Sequence, residues 1–295
     1  MAEYRIITDS TSDLTQEQVD ELDITVIPMD FTIGGDTFLD YPDERGLSSH
    51  DFYTRIAAGE TSTTNQIGIA TFQKTFEPFL QAGRDVLYLG FSSGLSGTYN
   101  NAVVTANELA EKYPGRKVFA VDTRAASLGE GLLVYHAVQK KRAGASIDEV
   151  RAWVEQNRNR MHHWFTVDDL NHLKRGGRIS GASALVGTML GIKPVMHFDN
   201  GGHIILMDKI RGRRQSLDDL VNHMAKTAVE PEQQMIFISH SDSQKGCDYV
   251  AEQVEKRFGV TRIWTGPIGP VIGAHTGTGT VALFYLGLDR EAPEQ

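Results

Sequence analysis

Short apolar segments alternate with amphipathic segments along the first half of the chain. The apolar segments have the length of buried strands, and the amphipathic segments repeat their apolar residues at helical spacing. Strands are predicted over 4–9, 24–29, 85–89 and 117–122, and helices over 51–58, 69–80, 102–113 and 128–142. Strands that alternate with helices in this way predict a mostly parallel sheet flanked by helices.

The pattern changes near residue 157. Ser146 followed by Glu149 matches a capping box, in which side chain and backbone satisfy each other at the start of a helix. The predicted helix runs from there to about residue 160. We therefore predict two domains, an N-terminal α/β domain over 1–157 and a C-terminal mixed α/β domain over 158–295.

The second half has a different order of elements. Strands are predicted over 163–167, 192–198, 203–210, 235–240, 261–265 and 281–286, and helices over 184–190, 216–228 and 244–258. The NGG segment at 200–202 stands between two predicted strands and indicates a hairpin. This order predicts a mixed sheet. The helix over 184–190 is apolar and belongs either to the core or to the wall of a hydrophobic pocket.

Composition narrows the class of protein. The chain has 295 residues, 40% of them hydrophobic, and a net charge of −9, which argues against nucleic acid or an anionic membrane as the main partner. The single cysteine, Cys247, excludes a disulfide framework and a cysteine metal site. No apolar run approaches the ~20 residues of a membrane span, and the N-terminus does not resemble a signal peptide. We expect a cytoplasmic protein without a transmembrane segment.

Polar turns follow three strands of the predicted parallel sheet, after Asp9, after Leu89 and after Asp122. Because ligands collect at the carboxyl ends of parallel strands, these turns indicate a binding site. The turn after Leu89 carries four hydroxyls, on Ser92, Ser93, Ser96 and Thr98. It leads into a helix, whose free N–H groups attract a carboxylate or phosphate. The alternative is a capped helix whose serines bond their own backbone. The polar segment 61–65 also precedes a helix and could join this site.

Two basic segments and one histidine are further candidates. The segments LKRGGRIS at 173–180 and KIRGRR at 209–214 either form a solvated surface or meet an anion or acidic partner. His275 lies in a glycine- and proline-rich segment and is either structural or part of a site. His162 and His163 point to opposite faces of a strand. The other histidines show no metal-ligand spacing, so the sequence predicts no metal site.

Eight segments taken together resemble the DegV family. They are TDSTSDL at 8–14, TS at 61–62, SSGLSGTY at 92–99, VDTRAAS at 121–127, LKRGGRI at 173–179, LGIKP at 190–194, RGR at 211–213 and IGPVIGAHTG at 268–277. The match spans nearly the whole chain, and the segments fall in the family's order. The family turn continues after Thr-Ser with a proline, whereas this chain has Thr63, Thr64 and Asn65.

This resemblance implies a DegV-like α/β fold with one long-chain fatty acid held between two domains. The residues that it implies for binding the carboxylate are Thr61, Ser62, Ser92, Ser93, Gly94 and His275. The basic segments imply a docking face for a partner, formed by Arg175, Arg178 and Arg211. No cofactor is implied besides the fatty acid ligand.

The family also implies a role. Its members are acyl-carrier subunits of a two-part fatty acid kinase, in which a separate ATP-binding subunit phosphorylates the bound carboxylate. The acyl phosphate feeds phospholipid synthesis, which makes a downstream acyltransferase a further candidate partner and allows transient membrane contact. On this interpretation the chain has no catalytic residues and no activity alone.

Two other classes stay open at the level of sequence. The first is a serine hydrolase or acyltransferase that uses Ser93 or Ser96 with His275 and an acid, Asp9 or Asp122. The turn does not match the G-x-S-x-G nucleophile motif, and several adjacent hydroxyls suit anion binding better than one activated serine. The second class is a regulatory or structural protein with an empty cleft.

Overall fold

The computed structural model describes residues 3–179 and 191–290. The strands in this part of the chain are β1 (Tyr4–Asp9), β2 (Thr25–Ile27), β3 (Asp30–Ile33), β4 (Asp36–Leu39), β5 (Ser62–Thr64), β6 (Asp85–Gly90), β7 (Val118–Asp122), β8 (Met161–Thr166), β9 (Ile192–Phe198), β10 (Ile204–Arg211), β11 (Ile236–His240), β12 (Ile263–Pro267) and β13 (Val281–Leu286). The helices are α1 (Gln16–Leu22), α2 (Ser49–Ala57), α3 (Ile69–Gln81), α4 (Thr98–Lys112), α5 (Leu128–Arg142), α6 (Ile147–Asn157), α7 (Asn171–Gly176), α8 (Arg213–Thr227), α9 (Gln244–Phe258) and α10 (Pro270–Thr276). The predicted helix over 184–190 lies outside the described residues.

The N-terminal half contains a four-stranded sheet in the order β2-β1-β6-β7. Every neighbouring pair in it is parallel, which confirms the predicted sheet. The Ser146–Glu149 capping box also forms, and α6 begins directly after Ser146. The carboxyl ends of β1, β6 and β7 therefore lie along one edge, as the alternation of strands and helices requires.

A small antiparallel sheet in the order β4-β3-β5 was not predicted. Its strand β5 occupies part of the polar segment 61–65, which the sequence indicated as a turn. Ser62 pairs with Ile33 and Thr64 pairs with Phe31. These pairings are distant in sequence, so the polarity of the segment alone gave the wrong structure.

The C-terminal half forms a six-stranded mixed sheet in the order β10-β9-β8-β13-β11-β12. Successive side chains of β8 alternate between its two faces. Phe165 packs in the core that faces the parallel sheet, whereas Trp164 packs in the core under α8 and α9. The predicted mixed sheet is confirmed, and one of its faces is turned toward the N-terminal half.

Three helices differ from the prediction. The α4 helix begins at Thr98, four residues earlier than predicted, so that it starts directly after the hydroxyl-rich turn. No helix was predicted over the basic segment 173–180, but α7 covers its first residues and ends at Gly176, directly before Gly177, which has a φ of 68°. The α10 helix lies within the glycine- and proline-rich segment, with Pro270 as its first residue. Within the described ranges, no helix is long and apolar enough to span a membrane.

Candidate functional site

A cavity of about 270 Å³ lies between the parallel and the mixed sheet. Its apolar wall is formed by Met29, Phe91, Leu95, Ala126, Phe165, Leu173, Phe198, Ile204, Ile268, Val271, Ile272, Ala282 and Phe284. These residues come from the loops after β2, β6 and β7, from β8, β9, β10 and β13, from α7, and from α10 and the residues before it. The cavity is thus built by both halves of the chain, at the edge where the parallel strands end.

Several polar residues line the cavity. We call one group of them the polar patch and define it as Thr64, Gln66, Ser96, Gly97, Arg178 and His275. The other polar residues of the wall are Asn65, Ser127, His163, Thr276 and Thr280. The Thr64 Oγ1 lies 3.0 Å from the His275 Nε2. The Gln66 side chain packs directly against Gly97. A Cβ added at residue 97 would lie 2.1 Å from the Gln66 Oε1. The Arg178 Nε donates to the Leu95 carbonyl at 3.1 Å. These contacts place the start of α4 beside the end of α10.

His275 is neutral at pH 7. Burial, and after it the positive charge of Arg178, lowers the pKa of His275 from 6.5 to about 4. Its Nδ1 is buried and has no hydrogen-bond partner in the described part of the chain. A neutral imidazole beside a hydroxyl offers one hydrogen-bond donor without a permanent charge.

The N-terminus of α4 contributes a partial positive charge to the polar patch. Gly97 is the residue before this 15-residue helix, and it has no side chain that could cap the helix. The Ser96 Oγ accepts a hydrogen bond from the Thr98 N–H at 3.2 Å. Free N–H groups and the helix dipole favour an anion at such a position.

The predicted residues Ser92, Ser93 and Gly94 do not line the cavity. The Ser92 Oγ donates to the Gly202 carbonyl at 2.7 Å, and Gly94 packs closely against the same hairpin between β9 and β10. The Ser93 Oγ donates to an Asp122 oxygen at 2.6 Å. The hydroxyls of Ser92 and Ser93 therefore donate to groups that are distant in the chain, whereas the alternative that the sequence left open was a bond to their own backbone. Ser96, in the same turn, does line the cavity.

The predicted residues Thr61 and Ser62 are also outside the cavity wall. Thr61 is exposed, and Ser62 is buried on β5 with no hydrogen-bond partner for its Oγ among the described residues. Thr64 lies two residues later on the same face of the strand. The hydroxyl of this segment that lines the cavity is that of Thr64.

The three predicted docking arginines have different environments. Arg175 is exposed on α7, and its Nη2 lies 2.8 Å from the His172 Nδ1. Arg211 is exposed at the end of β10. Arg178 is instead half-buried in the cavity wall, where its guanidinium donates to two backbone carbonyls. Arg178 therefore belongs to the polar patch rather than to an exposed face.

The described residues do not form the catalytic triad of the hydrolase interpretation. His275 contacts Thr64, Ser93 donates to Asp122, and the Ser96 Oγ lies 3.0 Å from the Thr98 Oγ1. The candidate acid Asp9 accepts hydrogen bonds from other groups, among them Tyr88. The serine, histidine and acid therefore have separate partners.

Buried carboxylates hold the first turn of α10. The Asp13 Oδ1 accepts a hydrogen bond from the Gly269 N–H at 3.0 Å. Asp40 is buried beside the same turn, and its Oδ2 has no hydrogen-bond partner among the described residues. Burial raises the pKa of Asp40 from 3.8 to about 7, although the Val271 N–H and the Ser10 hydroxyl oppose this increase. Asp13 was predicted only as part of a polar turn, and Asp40 was not predicted as a functional residue.

A second pair of buried acids lies under the carboxyl end of β1. Glu130 accepts hydrogen bonds from Thr8 at 2.8 Å and from Thr11 at 2.9 Å. Burial, and then the charge of Asp9, raises the pKa of Glu130 well above its usual value. These contacts join β1 to α5. The acid- and hydroxyl-rich turn after β1 thus connects parts of the protein and does not face the cavity.

The fold and the site define an α/β protein in which a parallel and a mixed sheet enclose a mainly apolar cavity, with the polar patch in its wall. The chain belongs to the DegV family, because a family profile described as an uncharacterised protein of the DegV family matches residues 3–287. A DegV domain-containing protein of Clostridium perfringens is 43% identical over 291 residues, which is 99% of this chain and 100% of that protein.

Solved structures with the same fold agree with this assignment. A DegV family protein of Thermus thermophilus, described as fatty acid binding, has a TM-score of 0.86 and 30% identity, and the match covers 98% of this chain and 100% of that one. DegV of Bacillus subtilis, described as a fatty acid binding protein, has a TM-score of 0.83 and 25% identity, with 97% and 100% covered.

Proposed function

We propose that this chain binds one long-chain fatty acid in the cavity and carries it to a separate enzyme. The observation that carries the proposal is the mainly apolar cavity with the polar patch in its wall, since an amphipathic ligand needs one environment for its tail and another for its head. The fatty acid binding described for the DegV proteins of Thermus thermophilus and Bacillus subtilis supports this choice of ligand.

The tail supplies most of the affinity in this proposal. A C16 acid has roughly 14 methylenes, and burying them at about 0.8 kcal/mol each contributes on the order of 11 kcal/mol before the cost of ordering the ligand. The wall that receives the tail is formed by aromatic and aliphatic side chains, among them Phe165, Phe198 and Phe284. Such a surface gives affinity without directional contacts.

The head group binds at the polar patch. A buried carboxylate needs hydrogen bonds, and Thr64, Ser96, neutral His275 and the start of α4 offer donors. Arg178 contributes a positive charge, but its guanidinium already donates to the carbonyls of Leu95 and Gly176. The carboxylate is therefore held without an ion pair that would lock both of its oxygens, and it stays available as a nucleophile.

The carrier role follows from this arrangement. We propose that an ATP-dependent kinase subunit phosphorylates the carboxylate and that the acyl phosphate passes on to phospholipid synthesis. Arg175 is exposed on α7, the helix whose Leu173 lines the cavity, so a partner bound there would lie beside the ligand. We propose exposed Arg211 as a second contact of this partner.

A pair of adjacent threonines tests the position of the head group. Thr64→Ala removes a cavity-lining hydroxyl, whereas Thr63→Ala is a matched control because Thr63 is exposed on the other face of β5. Loss of a hydrogen bond to a charged group predicts about tenfold weaker binding or more for Thr64→Ala and no change for the control. Binding is measured by titration with palmitate and oleate, and by mass spectrometry of lipid extracted from each protein. Equal retention by both variants would contradict the assigned position, and failure of the unsubstituted chain to bind any acid would contradict the function.

The kinase step has its own test. The fatty acid-loaded chain is incubated with the partner kinase subunit and ATP, and acyl phosphate is trapped with hydroxylamine. Arg175→Glu is expected to slow its formation while fatty acid binding is retained. Arg257→Glu serves as a control, because Arg257 lies in the last turn of α9, under the opposite face of the mixed sheet. Equal rates for the two variants would exclude α7 as the docking surface.

A further inference from the structure

A cluster of side-chain atoms of the kinds that bind metal ions lies on the face of the mixed sheet opposite the cavity. The His223 Nε2 on α8 is 3.0 Å from the Asp208 Oδ2 on β10 and 3.3 Å from the Asp219 Oδ2, one turn earlier on α8. The three atoms all lie within 4.8 Å of one another. We infer that His223, Asp208 and Asp219 form a binding site for a divalent metal ion of the zinc class.

The distances between the ligand atoms fit a metal centre. A tetrahedral zinc ion with bonds of about 2.0–2.1 Å keeps neighbouring ligand atoms about 3.3 Å apart. The two nitrogen–oxygen distances in the cluster, 3.0 and 3.3 Å, are close to this value. The His223 Nε2 carries one N–H at most. A single N–H cannot satisfy both of the carboxylates that converge on it. The buried Asp219 Oδ2 has no hydrogen-bond partner among the described residues.

An irregularity of β10 brings Asp208 into the cluster. The register against β9 shifts between Leu206 and Asp208, so that Asp208 lies opposite Val195. Leu206 packs against the cavity-side core, whereas Val195 belongs to the core on the α8 side. Without the extra residue, Asp208 would share the face of Leu206. A bulge that redirects a side chain in this way is typical of functional positions.

The imidazole is held in orientation before any ligand arrives. The His223 ring stacks on Trp164 with 3.6 Å between ring centroids and an interplanar angle of 5°. Its side chain is 13% exposed, while that of Asp208 is 44% exposed. The cluster therefore has a fixed inner ligand and an open outer side, where a water molecule would complete the coordination. Histidine with carboxylates favours zinc over magnesium or calcium, which prefer oxygen ligands alone.

The test is a titration of the tag-free, metal-stripped full-length protein with Zn²⁺ by calorimetry. We expect one equivalent to bind, and we expect His223→Ala and Asp219→Asn each to weaken binding by about 100-fold. His50→Ala is the matched control, because the His50 Nδ1 faces the single carboxylate of Asp242 at 3.4 Å. Its affinity for Zn²⁺ should equal that of the unsubstituted protein.

Two further measurements keep the test decisive. Co²⁺ bound to the protein should give the visible absorption of a tetrahedral centre. If His223→Ala fails to fold, Asp208→Asn replaces it as the test variant, because Asp208 is a half-exposed strand residue. Asp208→Asn should abolish the Co²⁺ absorption. Absence of Zn²⁺ binding, or binding that these variants leave unchanged, would overturn the site. A preference for Mg²⁺ or Ca²⁺ would overturn the metal class. The cavity lies on the other face of the sheet, so fatty acid binding is a separate measurement.

Discussion

Asp40→Asn should change how the stability of the protein depends on pH. In the folded protein the pKa of Asp40 is about 7, because the carboxyl is buried, whereas its ordinary value is 3.8. Between these two values the folded state holds a proton that the unfolded state has released. The free energy of unfolding therefore falls as the pH rises from about 4 to about 7. Asparagine has no proton to lose, so the variant does not show this decrease.

The size of the effect follows from the two pKa values. At about 1.36 kcal/mol per pH unit, the interval between 3.8 and about 7 corresponds to about 4 kcal/mol. At about pH 3.5 and below, the variant and the parent should differ little on this account. Above pH 8, Asp40→Asn should be more stable than the parent by up to about 4 kcal/mol, less whatever the new amide loses in packing.

Urea unfolding, followed by circular dichroism from about pH 4 to pH 8.5, measures this difference. Buried histidines act in the opposite direction, since burial lowers the pKa values of His136 and His162 to about 4, but they are common to both proteins and cancel in the comparison. Asp36→Asn is a control at an exposed acid on β4. If the Asp40→Asn and parent curves run parallel over the whole range, Asp40 does not hold the extra proton and the reasoning fails.

Three other substitutions test the cavity and its frame. Gly176→Ala would place a methyl group 2.2 Å from the His275 Nδ1, so the ring must move, and we expect about fivefold weaker fatty acid retention in a lipid-extraction assay with little change in melting temperature. Ala282→Phe adds an aromatic ring to the cavity wall and should abolish palmitate binding by calorimetry while circular dichroism stays unchanged; tight binding would mean that the tail lies elsewhere. Arg290→Met removes the guanidinium that donates hydrogen bonds to several backbone carbonyls, among them that of Met161. It should lower the free energy of unfolding, measured in urea, by about 3–5 kcal/mol. A loss under about 1 kcal/mol would contradict this role.

Elements with strong local signals could be predicted from the sequence. The α5 and α9 helices begin and end at the predicted residues, and β1 and β9 also match. The α10 helix was missed, although a glycine followed by Pro270 is a start signal. The hairpin of β3 and β4 was missed as well, although Gly34 and Gly35 stand at its turn. These failures concern signals that were present in the sequence.

The site was harder to predict because its hydroxyls compete for partners that are distant in the chain. Ser92 and Ser93 looked like anion ligands, but the fold brings Gly202 and Asp122 to them. Thr64 looked like part of a loop until its pairing with Phe31 fixed which face of β5 it occupies. Local spacing therefore located the right edge of the sheet but could not tell a free hydroxyl from a satisfied one.

The α10 helix explains why an acidic turn that does not line the cavity still matters for it. Asp13, at the end of the first turn after β1, holds the Gly269 N–H, and Asp40 lies beside the same end of the helix. At the other end of this seven-residue helix, His275 faces Thr64 in the polar patch. A rigid helix of about two turns transmits any displacement of its first residues to its last. The buried carboxylates therefore hold the first residues of the helix whose last turn carries the imidazole.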